Sequence, residues 1–429
     1  MKRVLVLMGL TSINILALFM YQWCVLTKVG PGEPTDALFA GMVVPQLILN
    51  VVSGSLSFVL VPMLSVSEDS AFRQSVSSFI SALALIFGLL LVTLLLTAQW
   101  WVPLTVPGFS AEAKRLTIVL ARIQLVGMFF TGIGSVMTAA YQAQRRFEYP
   151  LLTAAIASSL MLVWIIVELP RGGIVAAAWG LTIRPMVQFL LQSPIVFPIV
   201  RPDWSTPQFK KSIAKLRPLI CGTIYYKTDQ LVDRLLVSMA PAGVLSLLHL
   251  AQQIYSAGYQ VIVTAIATPA VPALASKANE GNFYGFRDNV LRILKLLILI
   301  GIGTFIILLF PGKFVIGFMF GHGNFSSTDI RQLWLIMIAM GGFWISGLTG
   351  QILATGFYAM GDTTTPTYIG IIGFTIGIGL KIIGFYLYGV FGVAIATGIY
   401  MTLNSIAMFV YLNRSLSSKV AGIATLEAV

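Results

Sequence analysis

The sequence predicts an all-α integral membrane protein of about twelve transmembrane helices, built as two six-helix halves. Three observations carry that expectation. Hydrophobic residues make up 57% of the 429 and charged residues only 10%, with a mean hydropathy of +0.90; a soluble domain averages about 25% charged residues. Apolar stretches of about 20 residues, the length that crosses the hydrocarbon core, recur from end to end. Finally, landmarks repeat. Val61-Pro62-Met63-Leu64 returns as Val271-Pro272-Ala273-Leu274, Tyr141-Gln142-Ala143 as Tyr358-Ala359-Met360, and Pro150 as Pro366, at offsets of 210, 217 and 216 residues. Near-constant offsets indicate two homologous halves, and paired halves in a membrane protein place a transport path at their interface.

The apolar stretches lie near 4–26, 38–64, 76–98, 116–140, 151–168, 173–199, 218–240, 245–274, 293–310, 332–356, 366–387 and 390–412. They are continuously apolar, without the alternation of barrel strands. The first follows Lys2 and Arg3, and Tyr21-Gln22-Trp23-Cys24 after it offers no small-residue cleavage pattern; it reads as a retained helix. The basic stretch with Trp204, Lys210, Lys211, Lys215 and Arg217 divides the chain. The expected organisation is an N-terminal lobe over 1–200, a basic cytoplasmic connector over 201–217 and a C-terminal lobe over 218–429. Six helices per lobe give both the same orientation, related by an axis along the membrane normal. With a cytoplasmic N-terminus, 16 basic residues fall on inward loops and ends and 7 on outward ones, which places both termini inside. The net charge of +12 is then membrane-surface charge facing anionic lipid. It is spread over many short loops and is no signal for nucleic acid.

Chemistry-bearing motifs are sparse. Pro311-Gly312-Lys313 lacks the upstream glycine and the following Ser or Thr of a phosphate-binding loop, so ATP-driven pumping is not expected. His249 and His322 have no cysteine or carboxylate cluster at metal-ligand spacing, and His249 reads as a bundle histidine. Cys24 and Cys221 read as inert buried thiols, and Glu68-Asp69 as solvated. No enzyme, cofactor or metal is expected. Four basic residues remain inside apolar stretches: Arg184, Lys227, Arg234 and Lys381. A charge at mid-membrane costs at least about 2.5–3.5 kcal/mol, so each needs a wet cavity or a partner. The seventh span concentrates them in Tyr226-Lys227-Thr228-Asp229-Gln230-Leu231-Val232-Asp233-Arg234. At helical periodicity Lys227, Gln230 and Arg234 share one side, with Asp229 and Asp233 adjoining. This polar sector is either a cavity wall or an internal charge network that fixes packing. Lys381 is expected at a cavity edge, and Arg184 beside backbone carbonyls freed by Pro185. Gly373-x-x-x-Gly377 points to close packing of the last two helices.

Several landmarks together resemble one family. Thr35-Asp36-Ala37 with Pro45, Gly54 and Val61-Pro62 is similar to the opening of the MurJ/MviN lipid II flippases. Further likenesses are Pro107-Gly108-Phe109, Arg146-Phe147 with Pro150, Asp233-Arg234 with Ser238, Gly323-Asn324-Phe325 with Asp329, and Phe357-Tyr358-Ala359 with Thr364 and Pro366. The ordered set spans nearly the whole chain, as a divergent member. The resemblance implies the fold of the multidrug/oligosaccharidyl-lipid/polysaccharide exporter superfamily, two six-helix lobes around a central cavity. It implies a flippase that carries a polyprenyl-pyrophosphate-linked glycan to the outer leaflet of a bacterial inner membrane. Expected partners are that lipid-linked glycan, membrane lipids and a coupling cation. The resemblance also implies cavity arginines, where this chain has Ile15, Tyr21, Leu49 and Gln253, and in many members two further C-terminal helices. On this reading Lys227, Arg234, Gln230 and Asp36 are candidates for the substrate cavity, and Asp229 and Asp233 for ion coupling. The competing functions are a cation-coupled drug antiporter of the same superfamily and a non-transporting scaffold.

Overall fold

The computed structural model describes residues 2–65, 69–197 and 200–427, and every regular element among them is a helix. Contacts group the chain into two units, residues 1–246 with 322–325 and residues 247–321 with 326–429.

The first unit opens with α1 (Lys2–Lys28), α2 (Glu33–Gly41) and α3 (Val43–Ser65). The break between α2 and α3 at Met42 follows from Pro45, which has no N–H and crowds the carbonyl four residues back. Next come α4 (Asp69–Thr105), α5 (Ala111–Ala143) and α6 (Glu148–Gln192). Ser110 starts α5, its hydroxyl accepting from the Ala113 N–H at 3.1 Å, an N-cap. α6 is a hairpin. Trp164 Nε1 donates to the Ala176 carbonyl at 3.0 Å, whereas twelve residues of straight helix span roughly 18 Å. The chain reverses at Gly173, whose φ of +54° is a conformation that L side chains rarely adopt. The core lies between α3, α4 and α5 around Leu56, Leu60, Phe79, Phe87, Leu125 and Met128.

Of the basic stretch, α7 (Pro207–Lys227) takes residues from Pro207 onward. Phe209, Ile213 and Leu216, spaced as one helical face, join that core, and the Phe79 and Phe209 rings stand 4.8 Å apart. Lys210, Lys211 and Lys215 lie exposed on the other face. α7 ends at Thr228, whose Oγ1 donates to the Tyr225 carbonyl at 2.6 Å. Such back-bonding competes with the helix ladder, so the seventh span is broken, and α8 (Asp229–Val237) follows.

In the second unit are most of α9 (Val244–Ile262), α10 (Thr268–Asn279), α11 (Phe283–Leu309), α12 (Gly312–Phe320), α13 (Ser327–Ala339), α14 (Gly341–Ala359) and α15 (Thr364–Glu427). A π-helical turn at Val263–Ala267 joins α9 to α10. α15 is the second hairpin, turning at Gly389, φ +59°. Gly384 and Gly392, about 12 Å apart in a straight helix, touch backbone to backbone: a Cβ on Gly384 would lie 2.6 Å from the Gly392 carbonyl oxygen. The Gly373-x-x-x-Gly377 step faces Asn404 and Tyr400 of the returning arm. Pro62 lies inside α3 and Pro272 inside α10.

Among the described residues seven helices are long and apolar enough to cross a membrane, and the α13–α14 pair, bent by 44°, makes an eighth. Two of the seven are the hairpins α6 and α15, each of two arms. The broken pairs α7–α8 and α9–α10 occupy the places of the seventh and eighth predicted spans.

Candidate functional site: a buried charge cluster at a helix N-terminus

The sequence-predicted residues separate into two groups. Lys227 and Gln230 are exposed and Asp229 is half-buried, while Asp233, Arg234 and Asp36 retain 2%, 3% and 2% of their surface. The break at Thr228 separates Lys227, the last residue of α7, from the α8 residues, and within α8 the first-turn residues Asp229 and Gln230 are less buried than Asp233 and Arg234 one turn on. Arg234 feels the opposite charges of Asp233 on its own helix and of Asp36 on α2. The structure thus brings Asp36, Asp233 and Arg234 together and leaves Lys227 and Gln230 outside that group.

Asp36 does a second job. Its Oδ2 accepts from the Gly243 N–H at 2.6 Å and its Oδ1 from the Ser246 N–H at 2.7 Å, and the Ser246 hydroxyl also donates to Oδ1. Ser246 lies in the first turn of α9 and Gly243 immediately precedes it, where helix geometry leaves N–H groups without intrahelical partners. The carboxylate therefore caps a helix 207 residues away in sequence. Thr35 beside it holds the approach: its hydroxyl accepts from the Gly32 N–H at 3.0 Å and is 2.9 Å from the Ser246 hydroxyl. Two carboxylates and one guanidinium leave one formal negative charge in excess. The N-terminus of α9 supplies roughly +0.5 of compensating partial charge.

Two other motifs dock at the same end of the first unit. Asn324 caps the C-terminus of α1, its backbone N–H donating to the Thr27 carbonyl and its Nδ2 to the Lys28 carbonyl, both at 2.7 Å. Gly108 lies so close to the Ser238–Met239 backbone that any side-chain carbon would collide with it. Ser246 and Gly243 were not predicted as site residues. One signal pointed to Ser246: it stands 210 residues after Asp36, the offset that separates Pro62 from Pro272.

The remaining candidates are placed as follows. Tyr21, at one position where the resemblance implies a cavity arginine, is buried and donates to the Ala177 carbonyl at 2.6 Å. Lys381 is not at a cavity edge: it is fully buried, 5.4 Å from the centre of the Tyr400 ring, within cation–π range. Arg184 finds side-chain partners, Ser158 and Asn14, rather than carbonyls freed by Pro185. His249 is buried and Cys24 half-buried. Glu68 and the side chain of Cys221 lie outside the described residues.

The family profile for the lipid II flippase MurJ matches residues 27–427. The chain belongs to the MurJ lipid II flippase family. Among its relatives, a probable lipid II flippase MurJ of Vibrio cholerae is 24% identical over 405 residues, covering 89% of this chain and 77% of the relative. The lipid II flippase MurJ of Burkholderia cenocepacia is 21% identical over 435 residues, covering 96% and 84%. Among solved structures, a lipid II flippase MurJ in an inward closed conformation superposes with a TM-score of 0.81 at 22% identity, covering 95% of this chain and 87% of that one. An inward-facing multidrug transporter of the MATE family gives 0.80 at 14% identity, covering 95% and 96%. The MurJ-family chain thus has the fold that MurJ and MATE transporters share.

Proposed function

We propose that this chain moves a polyprenyl-pyrophosphate-linked glycan from the inner to the outer leaflet of a bacterial cytoplasmic membrane by alternating access of two six-helix lobes, 1–200 and 218–429. The observation that carries the reading is the MurJ-family match over 27–427. The physics agrees with it. A glycan head is too polar to cross hydrocarbon, so it needs a polar route through protein while the lipid tail stays in the bilayer. A pyrophosphate calls for cationic groups or backbone amides. Lys227, exposed at the end of α7 beside Gln230, is the cation we assign to the substrate. Asp36, Asp233 and Arg234 form the buried network that holds α2, α8 and the start of α9 in place, and Asp229 and Asp233 remain the carboxylates for a coupling cation. An electrical gradient supplies about 2.3 kcal/mol per charge per 100 mV.

The test is purified protein in liposomes loaded with lipid II on one leaflet. Protein-dependent appearance of the glycan on the other face is the expected result; drug efflux without lipid movement overturns the reading. Lys227→Gln is expected to slow flipping about tenfold or more, since a hydrogen bond to a charged group contributes about 1.5–3 kcal/mol. Its thermal midpoint should stay at the wild-type value because the side chain is exposed. Unchanged flipping would remove Lys227 from the substrate path.

Both termini are proposed to be cytoplasmic, from the distribution of basic residues. Ser212, central in the basic stretch, is buried and donates to Met63 Sδ, so the exposed Ser205 and Thr328 are the reporters. With Cys24 and Cys221 replaced by serine, Ser205→Cys should react with an impermeant thiol reagent only from the cytoplasmic side. Thr328→Cys should react only from outside. Labelling of both from one side would overturn the topology.

A further inference from the structure

The first unit holds a cavity of about 230 Å³ between α5 and the second arm of α6, with apolar walls at Phe130, Pro185 and Phe189 and a polar face around Arg184. Arg184, Gln188 and Gln192, four residues apart on one helix face, line it opposite Thr131, Gly134 and Ser135 of α5. The guanidinium is held in a fixed orientation. Its Nε donates to Ser158 Oγ at 2.7 Å and its Nη2 to Asn14 Oδ1 at 3.3 Å, while the Ser158 hydroxyl donates to Asn14 at 2.6 Å. Gln192 is braced in turn, donating to Thr153 and accepting from Thr138, both at 3.1 Å.

The balance of charge is what makes this cavity a site. Both partners of Arg184 are neutral, and none of the cavity-lining residues is a carboxylate. An arginine has five N–H donors, and the two bonds above leave three on a side chain that lines the cavity. A cation inside a membrane protein is normally paired with an acid; among the described residues, Arg184 hydrogen-bonds to neutral side chains. The hydroxyls and carboxamides on the cavity's polar face can share in binding an oxyanion. The size narrows the ligand. Pockets for drug-sized molecules run about 300–1,000 Å³; 230 Å³ is the smaller size that suits a phosphate or pyrophosphate group.

We propose that this cavity is a phosphate-binding subsite for the pyrophosphate of the lipid carrier, with Arg184 as its cation and Ser158 and Asn14 as the residues that position it. The inference rests on the proposed flippase reading for the identity of the carrier.

The test uses the full chain in nanodiscs and binding of radiolabelled undecaprenyl pyrophosphate. Arg184→Gln should weaken binding at least tenfold, Arg184→Lys should retain part of it, and Arg171→Gln, an exposed arginine beside Glu168, should bind as the wild type. Gly134→Leu is the variant that does not touch the charge. No atom lies within 4 Å of a Cβ at Gly134, so a side chain there starts in open space and extends into the cavity; it should also weaken binding at least tenfold, and it decides the matter if Arg184→Gln fails to fold. Inorganic pyrophosphate should compete with the probe, and nanodiscs rich in phosphatidylglycerol should not. Normal binding by Gly134→Leu and a folded Arg184→Gln overturns the proposal. So does competition by phosphatidylglycerol alone, which would make the ligand an ordinary lipid headgroup. Flipping assays separate the two readings. Arg184-dependent binding without flipping by the wild type keeps the subsite and removes the flippase; flipping with normal binding by the variants does the reverse.

Discussion

Asp36→Ala should abolish lipid transport and lower stability by about 3 kcal/mol or more. The carboxylate accepts from two backbone amides and one hydroxyl of the α9 start, and it is 2% exposed. Each hydrogen bond to a charged group contributes about 1.5–3 kcal/mol, and removal strands buried donors that water cannot reach. The helix N-terminus also loses its compensating negative charge. Asp36→Asn is the informative companion. One of its terminal atoms is a donor and faces another donor, so it should recover part of the stability and little of the transport. Thermal unfolding in detergent and a complementation assay measure the two effects. Asp36→Ala with wild-type stability would show that the α9 amides find other partners.

Arg234→Leu should be destabilising by about 3–5 kcal/mol, the range for removing one partner from a buried ionic group. Arg234 is 3% exposed and lies in the field of Asp36 and Asp233; without it two buried carboxylates share no cation. A double replacement of Arg234 and Asp233 by neutral residues should cost less than the sum of the single changes, because their opposite charges interact. Lys227→Leu in the same assay should stay within about 0.5 kcal/mol of wild type, as exposed positions generally do. Equal stability losses at Lys227 and Arg234 would mean that the two side chains belong to one network, contrary to their burial.

Much of this site was legible in the sequence as a set of residues and little of it as an arrangement. The run from Lys227 to Arg234 was visible as polar positions on an apolar span, since intramembrane charges are rare and each stands out. Its division at Thr228 was not visible, because a threonine tolerated mid-helix and one that interrupts the helix by back-bonding to Tyr225 look the same in a sequence. The family motifs at Asp36, Gly108 and Asn324 were legible as landmarks. Their common purpose was not, because each meets a partner more than a hundred residues away.

Hydropathy along the chain is enough to establish the solvent and the element type. Long apolar runs with few charges can satisfy their backbone groups in lipid only as helices or closed barrels, and without strand alternation only helices remain. The motifs in order along 27–427 also determined the family. Only the tertiary structure decided which charges are buried together, that Asp36 caps α9, that Gly173 and Gly389 turn long helices into hairpins, and that Arg184 meets Asn14 and Ser158. The physical reason is range. Periodicity and hydropathy act over a few turns of helix, whereas caps, ion groups and cavities are made by side chains that only the packed fold brings within 3 Å of one another.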